Sequence, residues 1–150
     1  MPYVNFRWLG GMLTNFKTIV KRVIYLKELN LLVESGEINT LPKPERLRIN
    51  REIIKLNKTI GGIVNMGKLP EALFVVDLLS ESTAVTEAFK LGIPVISLAD
   101  SNVDPGMSKI IIPGNDDAIR SIELLTSGIA DSCIKGQGRE EILSTTKEEE

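Results

Sequence analysis

Four aspartates stand where chemistry could be done. Asp77 follows Leu73-Phe74-Val75-Val76, Asp100 follows Val95-Ile96-Ser97-Leu98-Ala99, and Asp116 and Asp117 come shortly after Lys109-Ile110-Ile111-Ile112-Pro113. Short apolar runs of this kind read as parallel strands, and doubly wound folds bind ligands at the carboxyl ends of such strands. Carboxylates gathered there could hold Mg²⁺ or a ribose, the arrangement of a nucleotide- or phosphate-using α/β enzyme. The competing reading is structural, because acidic residues also end strands and cap helices. The chain has neither a G-x-G-x-x-G turn nor a Walker loop; Gly61-Gly62 precedes a strand, and Gly136-Gln137-Gly138 lies near the end. A bound nucleotide phosphate needs such a glycine turn for close backbone approach. The chain also holds no histidine, which removes the commonest general base and metal ligand. Cys133 is the single cysteine, so an internal disulfide and a cysteine-based metal cluster are both excluded. No catalytic, cofactor-binding or metal-binding residue is assigned on this evidence.

The second kind of chemistry is recognition of a polyanion. Residues 1–60 carry eleven Lys/Arg against five Glu, a local charge of +6, while residues 61–150 carry seven against fifteen, a local −8. A polyanion would meet the front part and leave the rest to water or protein. Candidate contacts are Arg7, Lys17, Lys21, Arg22, Arg48, Arg51, Lys55 and Lys58 for phosphates, and Asn15 for a backbone group or a base edge. The blander reading is that lysine-rich helices are simply well solvated. Trp8, the only tryptophan, stands between Arg7 and the Gly10-Gly11 pair. It can stack on a base, or it can anchor the root of the following helix in the core.

These residues need elements to position them. Tyr3-Val4-Asn5-Phe6 is a strand candidate ahead of the glycine break. From about residue 13 to 33, Met12, Phe16, Ile19, Val23, Leu26, Asn30 and Val33 alternate steps of four and three, a heptad seam. Glu34-Ser35-Gly36-Glu37 interrupts it, and Pro42 and Pro44 suit the opening of a second helix. There Ile49, Ile53, Leu56, Ile60 and Ile63 repeat the same steps, so the two helices predict an antiparallel hairpin, its first arm roughly 30 Å long. After it the pattern becomes α/β: the three apolar runs already named, a helix over about 82–91, and a helix over about 118–134 capped by Asn115-Asp116-Asp117. The predicted division is edge strand and junction 1–8, helical hairpin 9–66, α/β body 67–136, and a disordered acidic tail 137–150 ending in Glu148-Glu149-Glu150. No apolar run approaches the roughly 18 residues of a membrane span. The first residues have the character of neither a signal nor a transit peptide.

Phe6-Arg7-Trp8-Leu9-Gly10-Gly11-Met12-Leu13-Thr14-Asn15, with Tyr3-Val4-Asn5 before it, closely resembles the strand-to-hairpin junction of the small-subunit ribosomal protein two family, of bacterial and organellar type. The resemblance continues through Ile60-Gly61-Gly62-Ile63, Pro70-Glu71-Ala72-Leu73-Phe74-Val75-Val76-Asp77, and Ala84-Val85 with Glu87-Ala88. It then runs through Leu91-Gly92-Ile93-Pro94-Val95, Asp100-Ser101-Asn102, and Ile111-Ile112-Pro113-Gly114-Asn115-Asp116-Asp117-Ala118-Ile119-Arg120. It covers about residues 3–139 in order, which makes it highly specific. It implies a flavodoxin-like parallel sheet, order 2-1-3-4-5, with the helical hairpin inserted. It implies a non-catalytic constituent of the small subunit, touching ribosomal RNA and neighbouring proteins and helping to seat the large messenger-RNA-binding protein. Asp77 and Asp100 then become structural.

The departure from the family is at the front, where the first strand of the sheet is absent. That strand belongs between residues 3–6 and Leu73-Phe74-Val75-Val76, and neighbours of a missing interior strand expose unpaired backbone. A companion chain is therefore expected to supply it, and the isolated chain is expected to fold poorly. The isoleucine-rich composition and the altered front suggest a ribosome in an organelle, mitochondrion or plastid, rather than bacterial cytoplasm. Two other function classes stay open: the enzyme with Asp77 and Asp100 at its mouth, and a coiled-coil adaptor using the heptad hairpin.

Overall fold

The first long helix, α1, spans Phe16–Glu34, and the second, α2, spans Lys43–Ile60. A computed structural model describes residues 1–136 of the chain; the acidic tail expected over 137–150 lies outside them. α1 starts a little later than its apolar spacing predicts. Residues 9–15 are bound up in turns, Met12 N–H donating to the Leu9 carbonyl (3.1 Å) and Asn15 N–H to that of Gly11 (2.9 Å). Ser35 closes α1 through its N–H to the Leu31 carbonyl, 2.8 Å away. Pro42 precedes α2, Pro44 lies in its first turn, and Glu45 there and Lys58 in the last turn both complement the helix dipole.

The hairpin closes over a cluster of Met12, Ile19, Val23, Leu26, Ile60 and Ile63, with Val4, Trp8, Leu9, Ile53 and Leu56 packed against it. The heptad seam holds only along this stretch. Further out, Leu29 is buried and Val33 is 40% exposed. Leu29 follows Leu26 by three residues where the row expects a step of four to Asn30, so the four-three alternation is broken there and Asn30 is half-buried.

The chain divides into two compact units. One comprises Met1–Leu73 with Glu81–Val95, and the other Phe74–Ser80 with the chain from Ile96 onward. Besides the hairpin, the first unit contains α3, Ser82–Lys90, whose Ala84, Val85, Glu87 and Ala88 are buried. In the second, α4 runs Ile119–Gly136.

Three strands, β1 (Leu73–Val76), β2 (Val95–Ala99) and β3 (Ile110–Pro113), form one sheet in the order β1-β2-β3. β2 and β3 are parallel, pairing Ile96 with Ile110 and Leu98 with Ile112. β1 runs the same way: Leu73 N–H donates to the Pro94 carbonyl (3.0 Å) and Asp77 N–H to that of Leu98 (3.3 Å). The class is α/β, as the apolar runs predict. β2, central, is buried at four of its five positions, whereas β1 at one edge and β3 at the other are largely half-exposed.

The strand predicted at residues 3–6 does not form. A strand exists by its ladder, and the neighbour expected for this one is not among the described residues. The segment instead ties to the hairpin root, Tyr3 N–H donating to the Gly62 carbonyl at 3.1 Å. A Cβ at Gly62 would fall 2.1 Å from the Tyr3 carbonyl oxygen, so only glycine permits this approach.

Candidate nucleic-acid interface

At the hairpin root one carboxylate organises the backbone. Glu87 lies on α3 among Ala84, Val85 and Ala88, and is itself only 6% exposed. One of its oxygens, Oε1, accepts the Gly11 N–H (2.7 Å) and the indole N–H of Trp8 (3.2 Å). The other, Oε2, accepts the N–H groups of Leu13 (2.9 Å) and Thr14 (3.0 Å) and the Thr14 hydroxyl (3.0 Å). Burial by itself would raise the pKa of this carboxyl. The N–H groups of Thr14, Gly11 and Leu13, with the indole of Trp8, outweigh burial and hold it at about 2. Gly11 presents its N–H from φ 88, a left-handed conformation that suits glycine. The turn between the front segment and α1 is thus wrapped around an anion supplied by the protein itself.

Within that geometry Trp8 is tied into the hairpin root. Its side chain is half-buried, packs on the hairpin core and gives its one polar hydrogen to Glu87. Asn15 is exposed at the head of α1, where its side-chain oxygen accepts the Thr18 hydroxyl at 2.8 Å. Arg7, Lys17, Lys21, Arg22, Arg48, Arg51, Lys55 and Lys58 are all exposed. On α2, Arg48, Arg51, Lys55 and Lys58 follow steps of three, four and three, which at 100° per residue forms one stripe. It lies opposite the row of Ile49, Ile53, Leu56 and Ile60. On α1, Lys17 and Lys21 stand one turn apart on a common face, with Arg22 about 100° further round. Among the described residues the ion pair formed is Lys68 with Glu71, and no described carboxylate pairs with these cations. Lys58 Nζ stands 4.1 Å above the centre of the Phe6 ring, bringing the end of the stripe to the front segment beside Arg7.

The aspartates of the rival reading, all in the second unit, are engaged locally. Asp77 has φ 62, and its Oδ1 accepts the N–H groups of Leu79 and Ser80, both at 3.1 Å, while Oδ2 accepts the Ser80 hydroxyl. The Ser80 hydroxyl is the chief reason its pKa is lowered. Asp100 is exposed and bonds the Ser101 N–H (2.6 Å). Asn115 caps the turn before α4, accepting from Asp117 N–H (2.9 Å) and Ala118 N–H (2.7 Å), with Asp116 buried beside it. Among the described residues no three acidic, histidine or cysteine side chains converge as metal ligands would.

Sequence reasoning missed Glu87 as the centre of the junction. The available signal was a carboxylate on the apolar face of a short helix, which burial tolerates only with donors to meet it. It also missed Phe6 as the partner of Lys58.

The sequence pattern of the family described as Ribosomal protein S2 matches residues 1–136. The chain belongs to this family. It is 57% identical over 139 residues to the small ribosomal subunit protein uS2 of Syntrophobacter fumaroxidans, covering 93% of this chain and 51% of that protein. The uS2 proteins of Deinococcus radiodurans and Hahella chejuensis are each 52% identical, over 150 and 136 residues, covering 100% and 91% of this chain and 57% and 54% of theirs. The chain therefore spans about half the length of these S2 relatives. All three are bacterial, and none lends weight to the organellar compartment expected from composition.

Proposed function

We propose that the chain is a non-catalytic structural constituent of the small ribosomal subunit, gripping ribosomal RNA with the exposed cations of its hairpin and touching neighbouring ribosomal proteins. The observation that carries this reading is the α2 stripe of Arg48, Arg51, Lys55 and Lys58, unpaired with carboxylates among the described residues, on a chain of a ribosomal protein family. Lys17, Lys21 and Arg7 extend the charge toward the junction. Glu87 contributes by fixing the turn that carries them, and Trp8 acts there as an anchor. Among the alternatives, an enzyme centred on Asp77 and Asp100 draws no support from oxygens already bound to their own turns.

A second partner is a segment equivalent to the front half of the relatives, on the same polypeptide or as a companion chain. β1 is an edge strand with an uninterrupted apolar sequence, Leu73-Phe74-Val75-Val76, the signature of a strand covered on both sides. Placement of the particle in a mitochondrion or plastid rests on the isoleucine-rich composition and the altered front.

Cosedimentation of the full chain with small-subunit ribosomal RNA tests the main reading. Binding should weaken steeply with salt, by a log–log slope of about 0.7–0.9 for each phosphate neutralised. Salt-independent association would point to a protein adaptor instead. Undiminished binding after Arg48, Arg51, Lys55 and Lys58 are all changed to glutamine would take the contact off α2.

A further inference from the structure

α1 carries a second row of residues on the side turned away from its buried seam. Lys17, Lys21, Ile24, Glu28, Leu31 and Ser35 follow one another by steps of four and three, roughly opposite Ile19, Val23 and Leu26. The row changes character along its length: cationic near the hairpin root, it becomes apolar and acidic beyond Lys21. Ile24 is 49% exposed and Leu31 61%, although both are large and apolar. At the loop end Glu28, Leu31, Leu32, Glu34, Ser35 and Glu37 line a shallow groove of about 580 Å³, with no cation among them. Leu31 stands roughly 24 Å along α1 from Asn15, so the groove is well removed from the front segment. Its charge is left unanswered. Glu34 lies in the last turn of α1, where the free carbonyls already make the helix end negative, and no Lys or Arg occupies that turn. Among the described residues none of Glu28, Glu34 and Glu37 forms an ion pair.

We propose that this outer face receives a short amphipathic helix of a neighbouring protein, its apolar side laid on Ile24 and Leu31 and its lysines or arginines set against Glu28, Glu34 and Glu37. Two exposed apolar residues seven apart on one line are anchors that a helix of the same pitch can meet. Cations on the partner would answer the three carboxylates and the negative end of α1 together. RNA is disfavoured, because its phosphates would face those carboxylates. A second copy presenting the same face would set like charges against like, which disfavours self-association. The area is small, so the contact is weak by itself and suits a partner already held nearby on the same particle. The hairpin is thereby divided, with RNA on its root half and protein on its loop half. This deepens the reading of a small-subunit constituent that touches neighbouring proteins, and rests on it.

The test uses the full 150-residue chain and a fluorescein-labelled helical peptide with leucines on one face and lysines on both flanks. A peptide of the same composition, scrambled so that its leucines share no face, is the comparison. The ordered peptide should bind about tenfold more tightly than the scrambled one. Leu31→Gln, at an exposed position where glutamine suits a helix, should remove that preference and leave affinity for small-subunit ribosomal RNA unchanged. Changing Glu28, Glu34 and Glu37 together to glutamine should weaken both peptides and flatten their salt dependence, without weakening the RNA. Equal binding of the two peptides, or a preference that survives Leu31→Gln, overturns the proposal while salt-dependent RNA binding keeps the broader reading intact. Loss of RNA affinity in Leu31→Gln overturns it in favour of an RNA contact, and a dimer in sedimentation that Leu31→Gln dissolves overturns it in favour of a second copy. If the parent chain binds no RNA, the broader reading falls whichever peptide binds.

Discussion

Glu87 shows how one side chain can settle a loop. Its five donors come from residues 8–14, more than seventy positions earlier in the chain, so the carboxylate joins α3 to the start of the hairpin. Glu87→Gln keeps the shape but replaces an acceptor by an amide that donates, leaving backbone N–H groups facing another donor. The expected cost is on the order of 3 kcal/mol, read as faster hydrogen exchange at the Gly11, Leu13 and Thr14 amides. Exchange at those amides no faster than in the parent would show that the carboxylate is incidental. The pH dependence follows from the sign of the shift. A carboxyl near 2 in the fold and at its ordinary 4.5 when unfolded favours the fold fully above 4.5. That advantage fades as pH falls from there through about 2, so the junction should loosen in acid while the neutral range leaves it unchanged. The sequence signal for this residue was faint: Glu87, between Thr86 and Ala88, shares the face of Ala84 and Val85, and its role shows only once the fold brings residues 8–14 against it. The exposed cations were legible because their side chains need only point away from an apolar row that spacing reveals.

The helices of the hairpin were legible for the same reason, since four-and-three spacing is a property of the segment itself. Their ends were less so, because the turn over residues 9–15 depends on Glu87 and on Gly11 in a left-handed conformation. The strand at residues 3–6 could not be judged from its composition, as pairing requires a neighbour that no local signal reveals. Its actual attachment predicts a sharp sensitivity. Gly62→Ala would put a methyl group 2.1 Å from the Tyr3 carbonyl oxygen. The bond between Tyr3 and Gly62 should break and the front segment detach, detectable as new protease cleavage within residues 1–8. An unchanged digestion pattern would mean that the contact is not held in solution. On α2, replacing Arg48, Arg51, Lys55 and Lys58 together by glutamine should reduce the salt slope of RNA binding by about 3, if each meets one phosphate. Replacing Lys17, Lys21 and Arg22 instead measures the share of α1, and a slope unchanged by the α2 set would move the contact there.

For the molecule as a whole, β1 raises the question of what lies beside it. In a parallel ladder, alternate N–H and C=O groups of an edge strand face away from its neighbour, and on an apolar strand they invite pairing. The full chain by itself should therefore unfold over a broad temperature range or self-associate. Adding a polypeptide equivalent to the front half of its relatives should sharpen the transition and leave a one-to-one complex by sedimentation. A sharp transition and a monomer without that addition would show that β1 is content as an edge. The indole at the hairpin root bears on how such assembly can be followed. Trp8 is the chain's sole tryptophan, its N–H is held by a carboxylate, and indole emission is sensitive to nearby charge and to water. The protein thus carries an intrinsic optical gauge at the root of its hairpin, one that brightens, dims or changes colour as that joint tightens or loosens.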